Sequence, residues 1–408
     1  MTRQKLHFTP PVGWTNDPNG LIYAGGKYHL FYQHYPHDTK WGPMHWGHAV
    51  SEDLLHWEHL PIALYPTERE YIFSGSAILD EEDLLGKKSG EQPAMVVFYT
   101  AHDPETGEQM QCMSYSSDYV NFEKYVGNPI IENRKGTAEF KQDFRDPKVF
   151  PNPVLGGYSM ILAVNDRTEF YHSADLVNWE YTGAFYHGEV GLKGLCECPD
   201  IYPLTLDGET KYVLTMSAIF TEEGASEESH VMQYFLGDFD GKRFVNPQEF
   251  DGTMLLDHGK DNYAMVTFAN SPKPLALGWG EDWNDARRNT ATEYFGKMTL
   301  ARELSLVRDG EKIHLCQKPV WESVEETEDL YCHRYLLEVG EKRSLACKIP
   351  IENAGDCLVI GDKKIPRSIA GSCTVQEIYD TGYLEVFADE GRIAYSANVQ
   401  QHYFSQLD

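Results

Sequence analysis

A short motif recurs along the chain and restricts the folds that this sequence can adopt. In each copy, a serine lies two residues before an aspartate and six residues before an aromatic residue. The copies begin at Ser51, Ser116 and Ser173, 65 and then 57 residues apart, and a degenerate copy from Gly237 to Phe244 begins 64 residues after the third. An aspartate with such neighbours suits a tight turn, and the aromatic ring can hold that turn against a sheet. The motif therefore predicts a succession of equivalent structural units.

A run of β-branched and aromatic residues precedes each copy of the motif. The runs cover residues 28–33, 94–100, 158–164 and 211–216, and each is flanked by Gly, Pro or Asp, which is typical of β-strands. A unit of about 60 residues that holds several strands fits a propeller blade better than a single strand of a sandwich. A solenoid is the alternative, although the repeats contain no helix-forming half. We therefore expect an all-β chain in which residues 1–305 form a five-bladed β-propeller.

The repeat is lost after residues 302–306, and the rest of the chain has a different organisation. We expect residues 306–328 to form a linker that ends in an acidic stretch, and residues 329–408 to form a short β-sandwich. Strand-like runs such as 343–349 and 383–387, with turns between them, indicate the sandwich.

The charge of the chain limits its partners. The formal net charge is −28, from 35 basic and 63 acidic residues. Such a field repels nucleic-acid phosphates and anionic membrane surfaces, so neither nucleic acid nor membrane is expected as a partner. A small neutral ligand is favoured instead, although a local basic pocket could override the overall charge. The sequence gives no indication of the oligomeric state.

The cysteines and the first residues bear on the cellular compartment. The eight cysteines include no Cys-x-x-Cys pair, which leaves a zinc or redox motif unsupported, and we interpret them as reduced thiols. The chain reaches a polar motif by Trp14 without an apolar signal core, and no run approaches 18 apolar residues. We therefore expect a cytoplasmic protein, unless a signal peptide was trimmed from this sequence.

Clusters of polar residues lie upstream of the strand-like runs. If the inner strand of each blade comes first in the chain, all of these clusters face one channel, and strand ends around a rigid ring suit a convergent site. The clusters are Trp14–Gly20, Phe73–Ala77, Phe144–Pro147, Glu197–Asp200 and Asp261–Tyr263.

Three of the clusters place a carboxylate near a proline. Asp17 and Asp146 each precede a proline directly, and Glu197 lies two residues before Pro199. Proline restricts the residue before it to extended geometry, which fixes the direction of the carboxylate. A single Asp-Pro pair is also a common turn dipeptide, but a carboxylate near a proline in three of the five clusters is less easily explained that way. Two carboxylates facing a channel could hydrolyse a glycoside, one attacking the anomeric carbon and the other donating a proton, and spacing alone does not assign the roles.

The three boxes together resemble a known enzyme family. Asn-Asp-Pro-Asn-Gly (16–20), Arg-Asp-Pro (145–147) and Glu-Cys-Pro (197–199), in this order, are similar to those of glycoside hydrolase family 32, which includes invertases, inulinases, levanases and sucrose-6-phosphate hydrolases. The resemblance runs from about residue 7 to residue 306, and more faintly to the strand at 384–387. It implies that Asp17 is the nucleophile, that Glu197 is the general acid/base, and that Asp146 binds two hydroxyls of the sugar and steadies the transition state. It implies no metal, and we expect no cofactor.

The resemblance also implies a set of substrate-binding residues. Stacking of Trp41 and Phe73 on a furanose ring is physically reasonable, although an aromatic residue in a blade is often part of the core. Trp46, His48 and Trp279 are possible rim residues. The full set expected to bind substrate is Trp14, Asn16, Gln33, Trp41, Phe73, Ser74 and Arg145.

Two positions depart from the common pattern of the family. Thr15 stands where a methionine is frequent, and Cys196 stands where an aromatic residue is frequent. We expect both to lie near the pocket, which leaves the leaving-group preference open.

Several functions are compatible with the sequence. The main expectation is retaining hydrolysis of terminal β-fructofuranosides, sucrose first and short fructo-oligosaccharides next, through a covalent fructosyl-enzyme intermediate. Sucrose 6-phosphate is an alternative that would call for a cation at the pocket, and Lys193 or Arg167 could serve. Transfer of fructose to a sugar acceptor would use the same intermediate. A propeller that binds sugars without catalysis is a remote alternative, as is a related five-bladed family that acts on arabinosides or xylosides with inversion.

Overall fold

The computed structural model describes residues 3–222, 224–249, 252–322 and 325–399. Residues 323–324 of the expected linker and residues 400–408 of the expected sandwich lie outside the described residues, as do residues 1–2, 223 and 250–251 of the expected propeller. Within the described ranges the regular secondary structure is almost entirely β-strand. None of the helices in these ranges has the length and apolar character needed to cross a membrane.

Twenty-nine strands and four short helical elements make up these ranges. The first twelve strands are β1 (Gly13–Ala24), β2 (Lys27–Tyr35), β3 (His45–Ser51), β4 (Glu58–Leu64), β5 (Tyr71–Asp80), β6 (Ala94–His102), β7 (Gln109–Ser116), β8 (Glu123–Lys124), β9 (Arg145–Pro151), β10 (Tyr158–Val164), β11 (Arg167–Ser173) and β12 (Glu180–Phe185). The next nine are β13 (Leu195–Leu206), β14 (Glu209–Phe220), β15 (Ser229–Phe239), β16 (Phe244–Val245), β17 (Tyr263–Thr267), β18 (Leu275–Trp279), β19 (Tyr294–Phe295), β20 (Arg302–Asp309) and β21 (Lys312–Pro319). The last eight are β22 (Leu330–Leu337), β23 (Lys342–Ser344), β24 (Pro350–Asn353), β25 (Cys357–Ile360), β26 (Lys363–Pro366), β27 (Cys373–Asp380), β28 (Tyr383–Ala388) and β29 (Ile393–Asn398). The helical elements are α1 (Trp283–Arg288) and the 3₁₀ turns His187–Glu189, Ala346–Lys348 and Asp389–Gly391.

The first twenty-one strands form five sheets in succession. Their strand orders are β1-β2-β3-β4, with β19 added at the edge of β1 opposite β2, then β5-β6-β7-β8, β9-β10-β11-β12, β13-β14-β15-β16 and β17-β18-β20-β21. The first strand of each sheet contacts the first strand of the next, and β17 contacts β1. The five first strands therefore form a closed ring, with the other strands of each sheet outside it.

The repeated motif of the sequence forms equivalent turns between the third and fourth strands of the first four sheets. In each turn one carboxylate oxygen of the aspartate (Asp53, Asp118, Asp175 or Asp240) accepts hydrogen bonds of 2.7–2.9 Å from the backbone N–H groups two and three residues later. The residue after each aspartate has a left-handed backbone. The predicted equivalence of the four copies, including the degenerate one, is thus confirmed.

The apolar runs predicted from the sequence lie in the second strands, β2, β6, β10 and β14. Most of their residues are buried, because each sheet packs its two faces against its two neighbours in the ring. A separate hydrophobic core fills each of the five contacts between neighbouring sheets, including the contact between the fifth sheet and the first. Burial of this apolar surface stabilises the ring.

The fifth sheet extends beyond the boundary expected from the sequence. Residue 305 falls inside β20, and β21, which lies within the expected linker at 306–328, pairs with β20 from Arg302 opposite Pro319 to Asp309 opposite Lys312. The serine–aspartate motif is lost in this sheet, but the strand pairing continues up to Pro319. The remaining strands form two four-stranded sheets, β22-β27-β28-β29 and β23-β24-β25-β26, around one common hydrophobic core.

Candidate active site

The first strand of every sheet in the ring is irregular at its polar cluster. The pairing of each first strand with its neighbour shifts register there, and such bulges bend a strand and redirect its side chains. The shifts lie between Thr15 and Pro18, between Ile72 and Gly75, opposite Ile161 to Ala163 on the strand paired with β9, between Glu197 and Asp200, and between Tyr263 and Val266. Asp146, Cys198 and Ala264 adopt left-handed backbone conformations at or beside these shifts.

One cavity at the centre of the ring is lined by residues of all five first strands. Pro18, Ser74, Asp146, Cys198 and Thr267 each contribute to it from a different strand. Residues of the first four polar clusters thus line one cavity, as the position of the clusters in the sequence predicted. From the fifth cluster, Tyr263 reaches the site by donating to Glu197.

Asp17 lies on β1 with its carboxylate held by neighbouring sheets. The Ser74 hydroxyl donates to Asp17 Oδ2 at 2.6 Å, and the Cys198 thiol approaches the same oxygen at 3.5 Å. Oδ1 of Asp17 is buried and accepts no hydrogen bond within the described residues. Burial and the charge of Glu197 raise the pKa of Asp17, while the hydrogen bonds from Ser74, Asn16 and Cys198 oppose that rise.

Asp146 lies on β9 and lines the central cavity. The backbone N–H of Cys198 donates to Asp146 Oδ2 at 2.8 Å, and the N–H of Asp146 donates to the Thr100 hydroxyl at 3.0 Å. Burial raises the pKa of Asp146 to about 7; the Arg145 guanidinium opposes this effect, and the charges of Glu197 and Asp17 add to it.

Both carboxylate oxygens of Glu197 are held by side chains of neighbouring strands. Arg145 Nη2 donates to Oε1 at 3.0 Å, and the Tyr263 hydroxyl donates to Oε2 at 2.6 Å. Arg145 also pairs with Asp143 and lies 3.9 Å from Asp146 Oδ2. Burial lowers the pKa of Arg145, but these three carboxylates outweigh that effect and raise it.

The three acids therefore belong to one connected network. Cys198 contacts both Asp17 and Asp146, and Arg145 contacts both Asp146 and Glu197. The structure brings together side chains from the first, third and fourth sheets, as the sequence predicted.

Two of the residues expected to bind substrate, Trp14 and Gln33, are buried and make hydrogen bonds within the protein. The buried Trp14 indole donates to Asn16 Oδ1 at 2.7 Å and stacks on Phe295 with ring centroids 5.0 Å apart. Gln33 is also buried, and its amide donates to the Ile72 carbonyl at 2.9 Å, which joins the first sheet to the second.

Others form an aromatic group beside Asp17. Trp41 is 44% exposed and packs edge-on against Phe73, with centroids 6.1 Å apart. Phe73 in turn stacks on His102 at 4.4 Å, with the two rings within 13° of parallel. Burial lowers the pKa of His102, which favours a neutral imidazole in this stack. Such a group offers an apolar surface to one side of a sugar ring.

Several residues of the site were missed by sequence reasoning. Tyr263 and Cys198 lie within the polar clusters, so their cluster membership was a signal that could have identified them. Asp143 lies two residues before Arg145, and His102 lies at the end of an apolar run without any local motif.

The two departures from the family pattern lie beside residues of the site, as expected from the sequence, but they do not line its cavity. Thr15 and Cys196 are completely buried. The Thr15 hydroxyl donates to the Gln33 carbonyl at 3.0 Å, and the Cys196 thiol donates to the Arg167 carbonyl at 3.1 Å. Trp46, His48 and Trp279, considered as rim residues, are also completely buried and belong to the interior.

Comparison with known proteins gives the same assignment as the boxes. The family model described as Glycosyl hydrolases family 32 N-terminal domain matches residues 7–319. The chain belongs to glycoside hydrolase family 32. The end of the match at residue 319 coincides with the end of β21 and of the fifth sheet.

Curated relatives of this family 32 chain include a levanase from Bacillus subtilis, which is 41% identical over 78% of the chain and 47% of the relative. An invertase from Schizosaccharomyces pombe is 37% identical over 74% of the chain and 53% of the relative. The chain thus spans about half of the length of these two relatives. Among solved structures, a fructofuranosidase from Schwanniomyces occidentalis complexed with fructose matches with a TM-score of 0.82 and 25% identity, over 98% of this chain and 92% of that one.

Proposed function

We propose that this family 32 chain is a retaining β-fructofuranosidase that releases fructose from sucrose and short fructo-oligosaccharides. One observation carries the proposal: Asp17, Asp146 and Glu197 come from three sheets and meet in one network of hydrogen bonds and ion pairs. The relatives named levanase and invertase, and the neighbour complexed with fructose, support fructose as the sugar that the site holds.

We also propose that the five sheets are the blades of a five-bladed β-propeller and that the two C-terminal sheets form a β-sandwich. The closed ring of first strands and the five separate cores between neighbouring sheets support this architecture. In such a propeller the inner strands carry the catalytic groups, and the outer strands fix their positions.

In the first step, the Asp17 carboxylate attacks the anomeric carbon C2 of the fructosyl unit. Glu197 donates its proton to the glycosidic oxygen as the bond from C2 to that oxygen breaks, and the leaving sugar departs as an alcohol. Ser74 and Cys198 fix the direction of the attacking carboxylate. The product of this step is an ester between Asp17 and C2.

In the second step, Glu197, now a carboxylate, takes a proton from water. The water oxygen bonds to C2, the ester bond to Asp17 breaks, and fructose leaves with its original anomeric configuration. Arg145 and Tyr263 hold both oxygens of Glu197 through the cycle. Asp146 accepts hydrogen bonds from two sugar hydroxyls, which strengthen as positive charge develops on the ring.

The charge distribution near the site favours unphosphorylated substrates over sucrose 6-phosphate. Arg167, a candidate phosphate ligand, donates through two nitrogens to Glu169 at 2.7 and 3.1 Å and lies 3.8 Å from Asp166. Its charge is therefore neutralised within the protein. Lys193, the other candidate, is exposed on the loop before β13, where water screens its charge.

Two alternatives remain: transfer of fructose to a sugar acceptor, and sugar binding without catalysis. Transfer to a sugar acceptor needs no residue beyond those named, so the ratio of transfer to hydrolysis at high sucrose is the quantity to measure. A propeller that only binds sugars is disfavoured, because all three acids are present and connected.

The proposal is tested by measuring the sugars that the purified protein releases from sucrose, sucrose 6-phosphate, kestose and inulin. Added methanol traps the intermediate, and retention predicts methyl β-fructofuranoside, whereas an inverting enzyme would give the α-anomer. Asp17→Asn should abolish turnover. Asp118→Asn, the same change in a turn on the outer side of the second sheet, should leave turnover unchanged. Full activity of the Asp17 variant would overturn the proposal.

A further inference from the structure

The segment that leads into the fifth sheet lies along β29, the last strand of the C-terminal domain. This segment, residues 257–261, immediately precedes β17 and runs beside β29. The backbone N–H of His258 donates to the Ala394 carbonyl at 2.9 Å, and the N–H of Asp261 donates to the Ser396 carbonyl at 3.3 Å. A Cβ added at Gly259 would lie 2.0 Å from the Ser396 carbonyl oxygen, so the two backbones are in direct contact.

The two aspartates at the ends of the segment are bound to the same strand. The Asp257 carboxylate accepts from the Ser396 N–H at 2.8 Å, from the Ser396 hydroxyl at 2.7 Å and from Arg302 at 3.0 Å. The Asp261 carboxylate accepts from the Asn398 N–H at 2.7 Å. Both aspartates are buried, so these hydrogen bonds are shielded from competing water.

A second strand of the C-terminal domain holds the segment from the other side. The hydroxyl of Tyr383, on β28, donates to the Asp261 carbonyl at 2.6 Å. Tyr383 is completely buried and its ring packs edge-on against His7, with centroids 5.0 Å apart. This tyrosine therefore has little freedom to move, and neither does the carbonyl that it holds.

The segment leads directly to the residue that holds Glu197. Tyr263 follows Asp261 by two residues and donates to Glu197 Oε2 at 2.6 Å. The next residue, Ala264, has a left-handed backbone, and its N–H donates to the Ser217 hydroxyl at 3.1 Å. The path of the chain at Tyr263 is thus fixed on one side by the fourth sheet and on the other by the C-terminal domain.

We propose that the C-terminal domain positions the general acid/base, through Tyr383, Asp261 and Tyr263, in addition to stabilising the fold. This inference rests on the proposed function, because it assigns a task to contacts that end at Glu197. A hydrogen bond of 2.6 Å to a catalytic carboxylate constrains the direction in which that group donates its proton, and small displacements reduce proton transfer strongly. Tyr383 and Asp261 are positioning residues, since neither contacts Glu197 itself.

The test compares two substrates that differ in their need for an acid. The glucose unit of sucrose leaves as a poorly stabilised alkoxide unless it is protonated, whereas p-nitrophenyl β-D-fructofuranoside releases a stable phenolate that needs little help. Tyr383→Phe and Asp261→Asn should reduce kcat/KM for sucrose about tenfold and kcat/KM for the nitrophenyl substrate less than about twofold. This ratio reports the first step alone, whereas kcat for a substrate with a good leaving group also depends on the second step, in which Glu197 acts as a base. A structural defect would reduce both values together, because it lowers the amount of active enzyme.

Tyr331→Phe is the matched control. It removes a hydroxyl that donates to Glu377 Oε1 at 3.0 Å inside the C-terminal domain, away from the 257–261 segment. Its kcat/KM values for the two substrates should match those of the wild type. Equal losses on both substrates in the Tyr383 and Asp261 variants, or no loss at all, would overturn the inference. If the wild type cleaves neither substrate, the proposed function fails instead, so the two failures are distinguishable.

Discussion

Replacement of Ser74 by alanine should move the acidic limb of the pH–activity profile to higher pH. The Ser74 hydroxyl donates to Asp17 Oδ2 at 2.6 Å, within the range of short, charge-assisted hydrogen bonds. Such a bond stabilises the carboxylate form of Asp17. When the donor is removed, the carboxylate becomes less stable relative to the protonated form, and the pKa of Asp17 rises further above its ordinary value.

The size of the shift follows from the type of hydrogen bond. A hydrogen bond to a charged group contributes about 1.5–3 kcal/mol, and about 1.36 kcal/mol corresponds to one pKa unit. Ser74→Ala should therefore raise the acidic limb of kcat/KM by about 1 to 2 pH units. The Cys198 thiol is a weaker donor and lies farther away, at 3.5 Å, so Cys198→Ala should produce a smaller shift in the same direction.

The assay is kcat/KM for sucrose from pH 3 to pH 9, with Ser76→Ala as the control. Ser76 lies two residues farther along β5, and its hydroxyl accepts a hydrogen bond from the Val149 N–H at 2.9 Å without contacting an acid of the site. The control variant should lose stability, because it leaves a buried N–H group unpaired, but its acidic limb should not move. An unchanged limb in Ser74→Ala, or equal shifts in the two serine variants, would refute the reasoning.

Three further predictions concern binding, stability and specificity. Trp41→Ala should raise KM for sucrose about fivefold or more while kcat changes little, because the exposed ring supplies binding surface. A fall in kcat with an unchanged KM, measured by steady-state kinetics, would contradict this role. The pKa of His7 is raised to about 9: burial opposes the protonated form, but hydrogen bonds and charges from Asp380 and Glu385 outweigh it. That contribution to stability is complete below pH 6.5 and is lost as pH rises through 9. The free energy of unfolding in urea should therefore fall by on the order of 3 kcal/mol between pH 6 and pH 10, and His7→Gln should abolish this fall. The same dependence of the unfolding free energy on pH in the variant and the wild type would contradict this. Cys196→Ala should lower Tm but leave the ratio of sucrose turnover to kestose turnover unchanged. A changed ratio would show that this residue influences the choice of leaving group.

The parts of the fold that depend on local contacts could be predicted from the sequence. Each repeated turn is closed by hydrogen bonds between an aspartate and backbone groups two and three residues later, so the pattern is visible in a short stretch of residues. The three acids were identified for a similar reason, since Asp17, Asp146 and Glu197 each lie in a compact box. The structure then brought all three into one network.

The parts that depend on distant contacts could not be predicted. Tyr263 reaches Glu197 across 66 residues, and Cys198 reaches Asp17 across 181 residues. No local pattern reports such pairings. The direction of a side chain is another property that position in the sequence does not give. Cys196 lies next to Glu197, but successive residues of a strand point to opposite faces, and Cys196 faces the core between the third and fourth sheets.

The pairing of β19 with β1 has a consequence for the nascent chain on the ribosome. Gly13 and Trp14 pair with Tyr294 and Phe295, and Ile22 bridges to Ala269. Until those later residues have been translated, β1 has one open edge and is held only by its pairing with β2 and its contacts with β5. All three acids leave the ribosome with the first half of the protein, yet Tyr263, which holds Glu197, belongs to the second half. During this interval the open edge of β1 can pair with foreign strands, so aggregation is a hazard until β19 has been made.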